Sequence, residues 1–142
     1  MNKDCCKKFF TPVALPCKAS AALLFVRLVM GIAFLYHGWG KIQHPFSWMP
    51  EGSPVPGFFQ FLAAISEFGG GIALILGVIT SLAMLGLAFT MFVATYMHMF
   101  VMKDPFVATG PGMSSYEPAL MYLALSILIM VIGPGKYSVD HK

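Results

Sequence analysis

Six ionisable side chains occur inside or at the edge of otherwise apolar stretches of the sequence. A charged or titratable group in apolar surroundings is costly unless it has a partner or faces a polar cavity. An imidazole, a cationic side chain and a carboxylate brought together supply hydrogen-bond donors, an acceptor and a means of exchanging protons. These candidate site residues are Arg27, His37, Lys41, Glu67, His98 and Glu117.

The composition shows what surrounds these six residues. Of the 142 residues, 58% are hydrophobic and only 11% are charged, whereas a soluble domain carries about 25% charged residues. Residues 1–18 and 136–142 hold eight of the fifteen charges, which leaves seven for residues 19–135. So few charges cannot cover a water-facing surface. The composition therefore excludes a disordered chain, a disulfide scaffold and a nucleic-acid binder, and it predicts an integral membrane protein.

The length of the chain fixes the number of membrane spans. A helix that crosses the hydrocarbon needs about 20 mostly apolar residues, and four such segments nearly fill the chain. We therefore expect an all-α, up-down-up-down four-helix bundle over residues 19–135, with an N-terminal tail (1–18) and a C-terminal tail (136–142). The predicted spans are residues 19–41, 58–79, 82–102 and 116–133.

The connections between the spans have clear sequence signals. Thr80 and Ser81 alone separate the second and third spans, which predicts a tight antiparallel hairpin. Prolines and glycines concentrate in residues 42–57 and 103–115, so these segments are predicted to be loops. The fourth helix is expected to begin at Glu117-Pro118, where proline and a carboxylate are both favourable.

The lysines predict the orientation in the membrane. Lysine and arginine in short loops stay preferentially on the cytoplasmic side. The two tails share one side and hold six lysines, whereas the opposite loops hold only Lys41 and Lys103. Both termini are therefore predicted to be cytoplasmic, and the net charge of +3 indicates attraction to anionic lipid head groups as partners rather than to a substrate.

The depths of the polar residues predict which of them meet. At about 1.5 Å per residue, Arg27 lies roughly 12 Å and Glu67 roughly 18 Å from the inner ends of their helices. Because a guanidinium can span that difference, we expect an Arg27–Glu67 ion pair. His37, His98 and the remaining two charged residues then gather near the outer face, where they predict an outward-opening polar pocket.

Helical spacing also favours an inward orientation for these groups. Arg27, Gly31, Phe34, Gly38 and Lys41 share one face of the first helix, and the two glycines allow another helix to approach closely. In the second helix, Glu67 lies beside small residues that favour tight packing, namely Ser66, Gly69, Gly70 and Gly71.

A structural interpretation of each residue stands beside the functional one. A buried Arg27–Glu67 pair could serve only to fix helix register. The two histidines could bond to loops or water, and Lys41 could be an anchor whose ammonium reaches the interface. Glu117 could be a carboxylate at a helix start and nothing more.

Three segments together resemble the DoxX family of small four-helix membrane proteins. The similarity extends from about Leu23 to Asp140, and the departure is Thr80-Ser81 where family members often have Thr-Arg. The segments are Arg27-Leu28 with Gly31, Phe34, His37-Gly38 and Lys41; Ser66-Glu67-Phe68-Gly69-Gly70-Gly71 with Leu76-Gly77; and Gly133-Pro134-Gly135-Lys136-Tyr137-Ser138-Val139-Asp140.

The resemblance implies a multi-pass protein of the bacterial inner membrane with quinone-linked redox chemistry. Related DoxD proteins form part of thiosulfate:quinone oxidoreductase, and some DoxX members are linked to oxidoreductase complexes in thiol and oxidative-stress defence. The implied cofactor is a quinone, and the implied partner is an oxidoreductase subunit or a second copy of the chain. Carried onto this sequence, the catalytic candidates are Arg27, His37 and Glu67, and the quinone-binding candidates are these three with Lys41, His98 and Glu117.

The sequence offers no redox centre of its own that we can name. It contains no Cys-x-x-Cys pair and no Gly-x-Gly-x-x-Gly motif, and its three cysteines, Cys5, Cys6 and Cys17, lie in the predicted cytoplasmic tail. Two adjacent cysteines are too few for a closed zinc site, so no metal is expected. A haem between His37 and His98 is conceivable but disfavoured.

Two other classes of function stay open at this point. The chain could be a non-enzymatic scaffold that assembles a partner enzyme, with the basic N-terminal tail as its docking element. It could also form a pathway for a small solute or protons, although four helices are few for a transporter without an oligomer.

Overall fold

The computed structural model describes residues 14–140, and within that range every secondary-structure element is a helix. This confirms the predicted all-α bundle. Cys5, Cys6 and most of the predicted N-terminal tail lie outside the described residues. The helices are α1 (Cys17–Gln43), α2 (Gly57–Leu76), α3 (Thr80–Tyr96), which continues as a π-helical segment (Met97–Val101), and α4 (Glu117–Ile132).

Three of the four predicted spans form helices of the length that a membrane requires. Three segments are long and apolar enough to cross it: Cys17–Gln43, Gly57–Leu76 and Thr80–Val101. The fourth helix, α4, is apolar but has only 16 residues, about 24 Å of helix. Large apolar side chains on the outward faces stay exposed, as a lipid-facing surface requires, for example Phe25, Phe58, Phe89 and Phe92.

Glycines set the register of α1 against α2. A side-chain carbon added at Gly31 would lie 2.8 Å from the carbonyl oxygen of Gly71, and one at Gly38 would lie 2.6 Å from the backbone nitrogen of Phe68. The two antiparallel backbones are therefore in direct contact, which small residues permit between membrane helices. This register places the end of α1 opposite the middle of α2.

The turn between α2 and α3 comes earlier than the sequence predicted. It consists of residues 77–79, and Thr80 already belongs to α3. Gly77 has a φ of 66°, which glycine adopts without strain, whereas Ile79 has a φ of 45°, which is unusual for a β-branched residue. The carboxylate of Asp140 accepts hydrogen bonds from the backbone N–H groups of Ile79 (2.9 Å) and Thr80 (2.7 Å), so the C-terminal segment stabilises this turn.

The four helices enclose one apolar core and leave two distinct ends. The end that carries residue 16, the α2–α3 turn and the C-terminal segment is called the tail end, and the end that carries residues 44–56 and 102–116 is called the loop end. The core between them is formed by Leu23, Met30, Phe34, Leu74, Met84, Leu87, Met91 and Ile129.

Candidate functional site

A cavity of about 390 Å³ lies at the loop end, bounded by residues of all four helices and of the loop before α4. The structure brings four of the six sequence-predicted site residues to this cavity: His37, Lys41, Glu67 and His98. Their part in binding stays a prediction. The rest of the lining consists of Phe34, Met91, Ala94, Met113, Ser114, Ser115, Pro118, Ala119 and Tyr122.

An ion pair joins α1 to α2 in the wall of the cavity. Lys41 Nζ lies 2.5 Å and 2.6 Å from the two carboxylate oxygens of Glu67, whose side chain is only 2% exposed. The ammonium also lies 4.6 Å from the centre of the Trp48 ring, within the range of a cation–π interaction. A carboxylate this deeply buried needs a cationic partner, so Lys41 is more than an interfacial anchor.

The loop after α1 is held over this ion pair by Gln60, which is 6% exposed. Its side-chain amide donates to the carbonyl of Val55 (2.9 Å) and accepts from the backbone N–H of Met49 (3.0 Å). Its backbone carbonyl accepts from Nε1 of Trp48 at 2.9 Å. One polar side chain of α2 therefore fixes the position of Trp48 beside Lys41.

His98 reaches the cavity from the π-helical segment that ends α3. Its Nδ1 lies 2.6 Å from Oδ2 of Asp104, and the backbone N–H of Asp104 donates to the carbonyl of His98 at 2.9 Å. The hydrogen bond with His98 holds the pKa of Asp104 below its ordinary value; desolvation opposes this shift, and a hydrogen bond with Ser114 adds to it. Asp104 is therefore an ionised acceptor for His98 at neutral pH.

His37 lies at the margin of the cavity, on the side where α1 faces α4. It is exposed, and its ring stands edge-on to Tyr122 with the ring centres 6.2 Å apart. Tyr122 also packs against Phe34, with ring centres 4.9 Å apart. These contacts give the cavity an aromatic wall between α1 and α4.

The predicted Arg27–Glu67 ion pair is wrong. The register of α1 on α2 separates the two residues along the bundle, and Glu67 pairs with Lys41 four turns away from Arg27. Arg27 is fully buried at the tail end, where its guanidinium donates to four backbone carbonyls at 2.9 to 3.3 Å. These acceptors are Leu74, Ile75, Pro134 and Tyr137.

Glu117 is also absent from the described residues that line the cavity. It begins α4 as predicted, and its backbone N–H donates to the carbonyl of Phe106 at 3.1 Å. The alternative interpretation, a carboxylate at a helix start, agrees with this position.

Sequence reasoning missed three polar residues that organise the two ends of the bundle. They are Gln60, which holds the first loop, Asp104, which pairs with His98, and Asp140, which caps α3. Gln60 had a usable signal, because it is an amide within an apolar helix. Asp104 follows His98 by six residues in a proline-containing loop, a weaker signal for a histidine partner.

The arrangement can bind a small polar group that enters from apolar surroundings. Lys41 offers N–H donors, and the imidazole rings of His37 and His98 offer groups that donate or accept. Within residues 14–140, no cluster of three or more histidine, cysteine, aspartate or glutamate side chains is placed to hold a metal ion.

The fold and this cavity define a multi-pass helical membrane protein with a polar site at one end. The family model for DoxX matches residues 22–101. The inner membrane protein YqjF of Escherichia coli (strain K12) is 33% identical over 122 residues, which cover 84% of this chain and 89% of that relative. No solved structure matches the chain. The chain belongs to the DoxX family and is a multi-pass protein of the bacterial inner membrane.

Proposed function

We propose that this DoxX protein is a membrane subunit of a quinone-linked oxidoreductase or redox-stress complex, and that its cavity, opening toward the outer face, binds the quinone head group. The observation that carries the proposal is the Lys41–Glu67 ion pair, which lines a cavity inside an otherwise apolar bundle. A quinone is proposed as the ligand because the sequence resembles DoxX and DoxD proteins.

The lining residues fit a quinone in both size and chemistry. The volume of about 390 Å³ lies in the usual range of small-molecule sites, roughly 300–1,000 Å³. A quinone head group presents two carbonyl acceptors on a flat ring, and its tail requires an apolar path. Lys41 supplies donors to a carbonyl, while Phe34, Met91 and Tyr122 supply apolar walls.

Each ionisable residue has a defined part in this proposal. Glu67 fixes the position of Lys41 Nζ, so that the remaining N–H bond of the ammonium is directed to a ligand oxygen. His37, at the margin, and His98, on the opposite wall, are the groups that exchange protons with the ligand. A bound quinone supplies the two-electron redox chemistry, and the electrons come from a partner subunit.

A fluorescence titration tests the proposal. The chain has two tryptophans, and Trp39→Phe leaves Trp48, beside Lys41, as a reporter for binding of decylubiquinone to the full-length protein in detergent. We expect saturable quenching by the native cavity. Lys41→Gln and Glu67→Gln should each lower the affinity for decylubiquinone at least tenfold, because each removes a charge from the cavity wall. The matched controls are Lys103→Gln and Glu51→Gln, both at exposed positions of the loops.

The outcome separates the proposal from the scaffold alternative. Saturable binding that is lost only in the two cavity variants supports a quinone site. Quenching that never saturates, or that all four variants share equally, would contradict it and favour a scaffold whose polar residues serve packing.

A further inference from the structure

Asp104, the hydrogen-bond partner of the cavity residue His98, has no part in the proposed function described so far. Asp104 does not itself line the cavity, but it contacts two residues that do: Nδ1 of His98, at 2.6 Å, and the side chain of Ser114. The side chain of Asp104 is 16% exposed and that of His98 is 31% exposed, so the contact is sheltered but not sealed from water.

This contact decides which nitrogen of His98 carries a proton. An ionised carboxylate only accepts hydrogen bonds, so Nδ1 must be the donor. In the neutral ring the other nitrogen, Nε2, then has no proton and acts as an acceptor. The backbone hydrogen bond from Asp104 to the carbonyl of His98 fixes the two residues relative to each other and makes this arrangement rigid.

The cavity therefore presents a donor on one side and an acceptor on another. Lys41 Nζ only donates, and Glu67 is engaged with it. The other titratable groups around the cavity are His37, at the exposed margin, and Tyr122. A hydroxyl group both donates and accepts, whereas a carbonyl oxygen only accepts. A ligand that directs an oxygen to Lys41 and a hydroxyl to His98 forms a hydrogen bond with both residues. A ligand with two carbonyls places a carbonyl oxygen against Nε2 of His98, and because both atoms are acceptors no hydrogen bond forms there.

We infer that Asp104 is a positioning residue that holds the proton on Nδ1 of His98 and thereby makes the cavity select the reduced, hydroxyl-bearing form of a quinone over the oxidised form. The inference rests on the proposed function and adds the redox state of the preferred ligand. Asp104 acts on the ligand through His98, because it does not itself line the cavity.

The test compares the two redox forms of one probe in full-length protein with Trp39→Phe as background. Decylubiquinol, kept reduced under nitrogen, and decylubiquinone are titrated against the protein at mildly alkaline pH. We expect at least about fivefold tighter binding of the quinol, the equivalent of one hydrogen bond. In Asp104→Asn this ratio falls close to one, because an amide can either accept from Nδ1 or donate to it.

Two variants and a spectroscopic signal separate this effect from a general structural loss. Asp104→Glu keeps an ionised acceptor and should restore part of the preference, and Glu51→Gln, at an exposed loop position, should leave it unchanged. Nitrogen NMR of protein with ¹⁵N-labelled histidine, assigned through His98→Gln, reads the protonation of Nδ1 directly. We expect Nδ1 to be protonated in the native chain and only partly protonated in Asp104→Asn.

The outcomes distinguish this inference from the proposed function. Equal binding of both forms by the native protein, or a His98 ring with a bare Nδ1, would overturn the inference and leave the quinone site standing. An unchanged preference in Asp104→Asn would also overturn it. If neither form binds saturably, the proposed function fails and this inference fails with it.

Discussion

The charged side chains at the two ends of the bundle differ in their hydrogen-bond partners. At the tail end, Arg27 is fully buried and its guanidinium directs four of its five N–H groups to backbone carbonyls. At the loop end, the Lys41–Glu67 pair and His98 line a cavity and retain donors and acceptors that no group within residues 14–140 uses.

The difference separates a charge that holds backbone segments together from a charge that is still able to bind a ligand. A buried charge whose hydrogen bonds go to backbone carbonyls of distant segments fixes those segments relative to one another. A charge that is paired but faces a cavity keeps hydrogen-bonding capacity for a ligand. Arg27 and Lys41 lie on the same face of α1, yet Arg27 bonds to backbone carbonyls at the tail end and Lys41 lines the cavity at the loop end.

The largest expected effect concerns the tail end. Arg27→Met leaves four carbonyl groups without their donor, and we expect the free energy of unfolding in detergent to fall by about 3 kcal/mol or more. The free energy of unfolding of Arg27→Lys should lie between those of the native protein and Arg27→Met. The folded fraction of Arg27→Lys should still bind decylubiquinone like the native protein. The exposed control Lys103→Met should stay within about 0.5 kcal/mol. A fully stable Arg27→Met protein would remove the distinction between the two ends.

The next effect concerns the ion pair at the loop end. Lys41→Met strands a buried carboxylate, so we expect a loss of about 2–4 kcal/mol in the free energy of unfolding. The double variant Lys41→Met/Glu67→Leu should regain most of that stability, because an apolar pair avoids the desolvation cost. Neither protein should bind decylubiquinone. Binding by the stable double variant would show that the pair only supports the fold.

A smaller effect concerns the cap that Asp140 provides to α3. Asp140→Asn should lower the free energy of unfolding by about 1 kcal/mol at neutral pH, the usual size of a helix cap. Burial raises the pKa of Asp140, but hydrogen bonds from Thr80 and Ile79 and the charge of Arg27 outweigh it and hold the pKa below its ordinary value.

The pH dependence of this cap has a definite sign. A lowered pKa in the folded state means that the stabilisation is complete above the ordinary aspartate value of about 3.9 and is lost as the pH falls through the lowered value. Unfolding curves of the native protein and Asp140→Asn should therefore converge only below about pH 4. A difference that disappears already near neutral pH would contradict the capping role.

The smallest effect concerns Asp104. Its pKa is lowered chiefly by the hydrogen bond with His98, so His98→Phe should move the carboxyl titration back up toward about 3.9. Carbon NMR of ¹³C-labelled aspartate follows this shift, with Asp140 as an internal reference that should not move. If the Asp104 titration is the same in both proteins, the contact does not form in solution.

Much of the fold could be predicted from the sequence, because membrane-spanning helices follow from length and apolar composition alone. Each predicted span begins and ends within a few residues of the helix that forms. The site was harder to predict. Depth counted from estimated helix ends placed Arg27 near Glu67, but the contacts of Gly31 and Gly38 with α2 set a register that pairs Glu67 with Lys41.

The C-terminal segment shows a second limit of sequence reasoning. The motif from Gly133 to Asp140 was informative as a resemblance, yet its physical role depends on distant residues. Pro134 and Tyr137 accept hydrogen bonds from Arg27, and Asp140 caps α3. Such pairings across more than 50 positions carry no local signal that periodicity or propensity could detect.

Photolabelling tests the central claim, that the loop-end cavity is a quinone site, most directly. A photoreactive azidoquinone is bound to the full-length protein in lipid nanodiscs, illuminated, and its attachment sites are mapped by peptide mass spectrometry. We predict labels at cavity residues such as Met91, Met113 or Tyr122, suppressed by excess decylubiquinone and lost in Lys41→Gln but not in Lys103→Gln. Labels spread over the exposed outward faces, such as Phe89 and Phe92, and unaffected by competitor would contradict the claim.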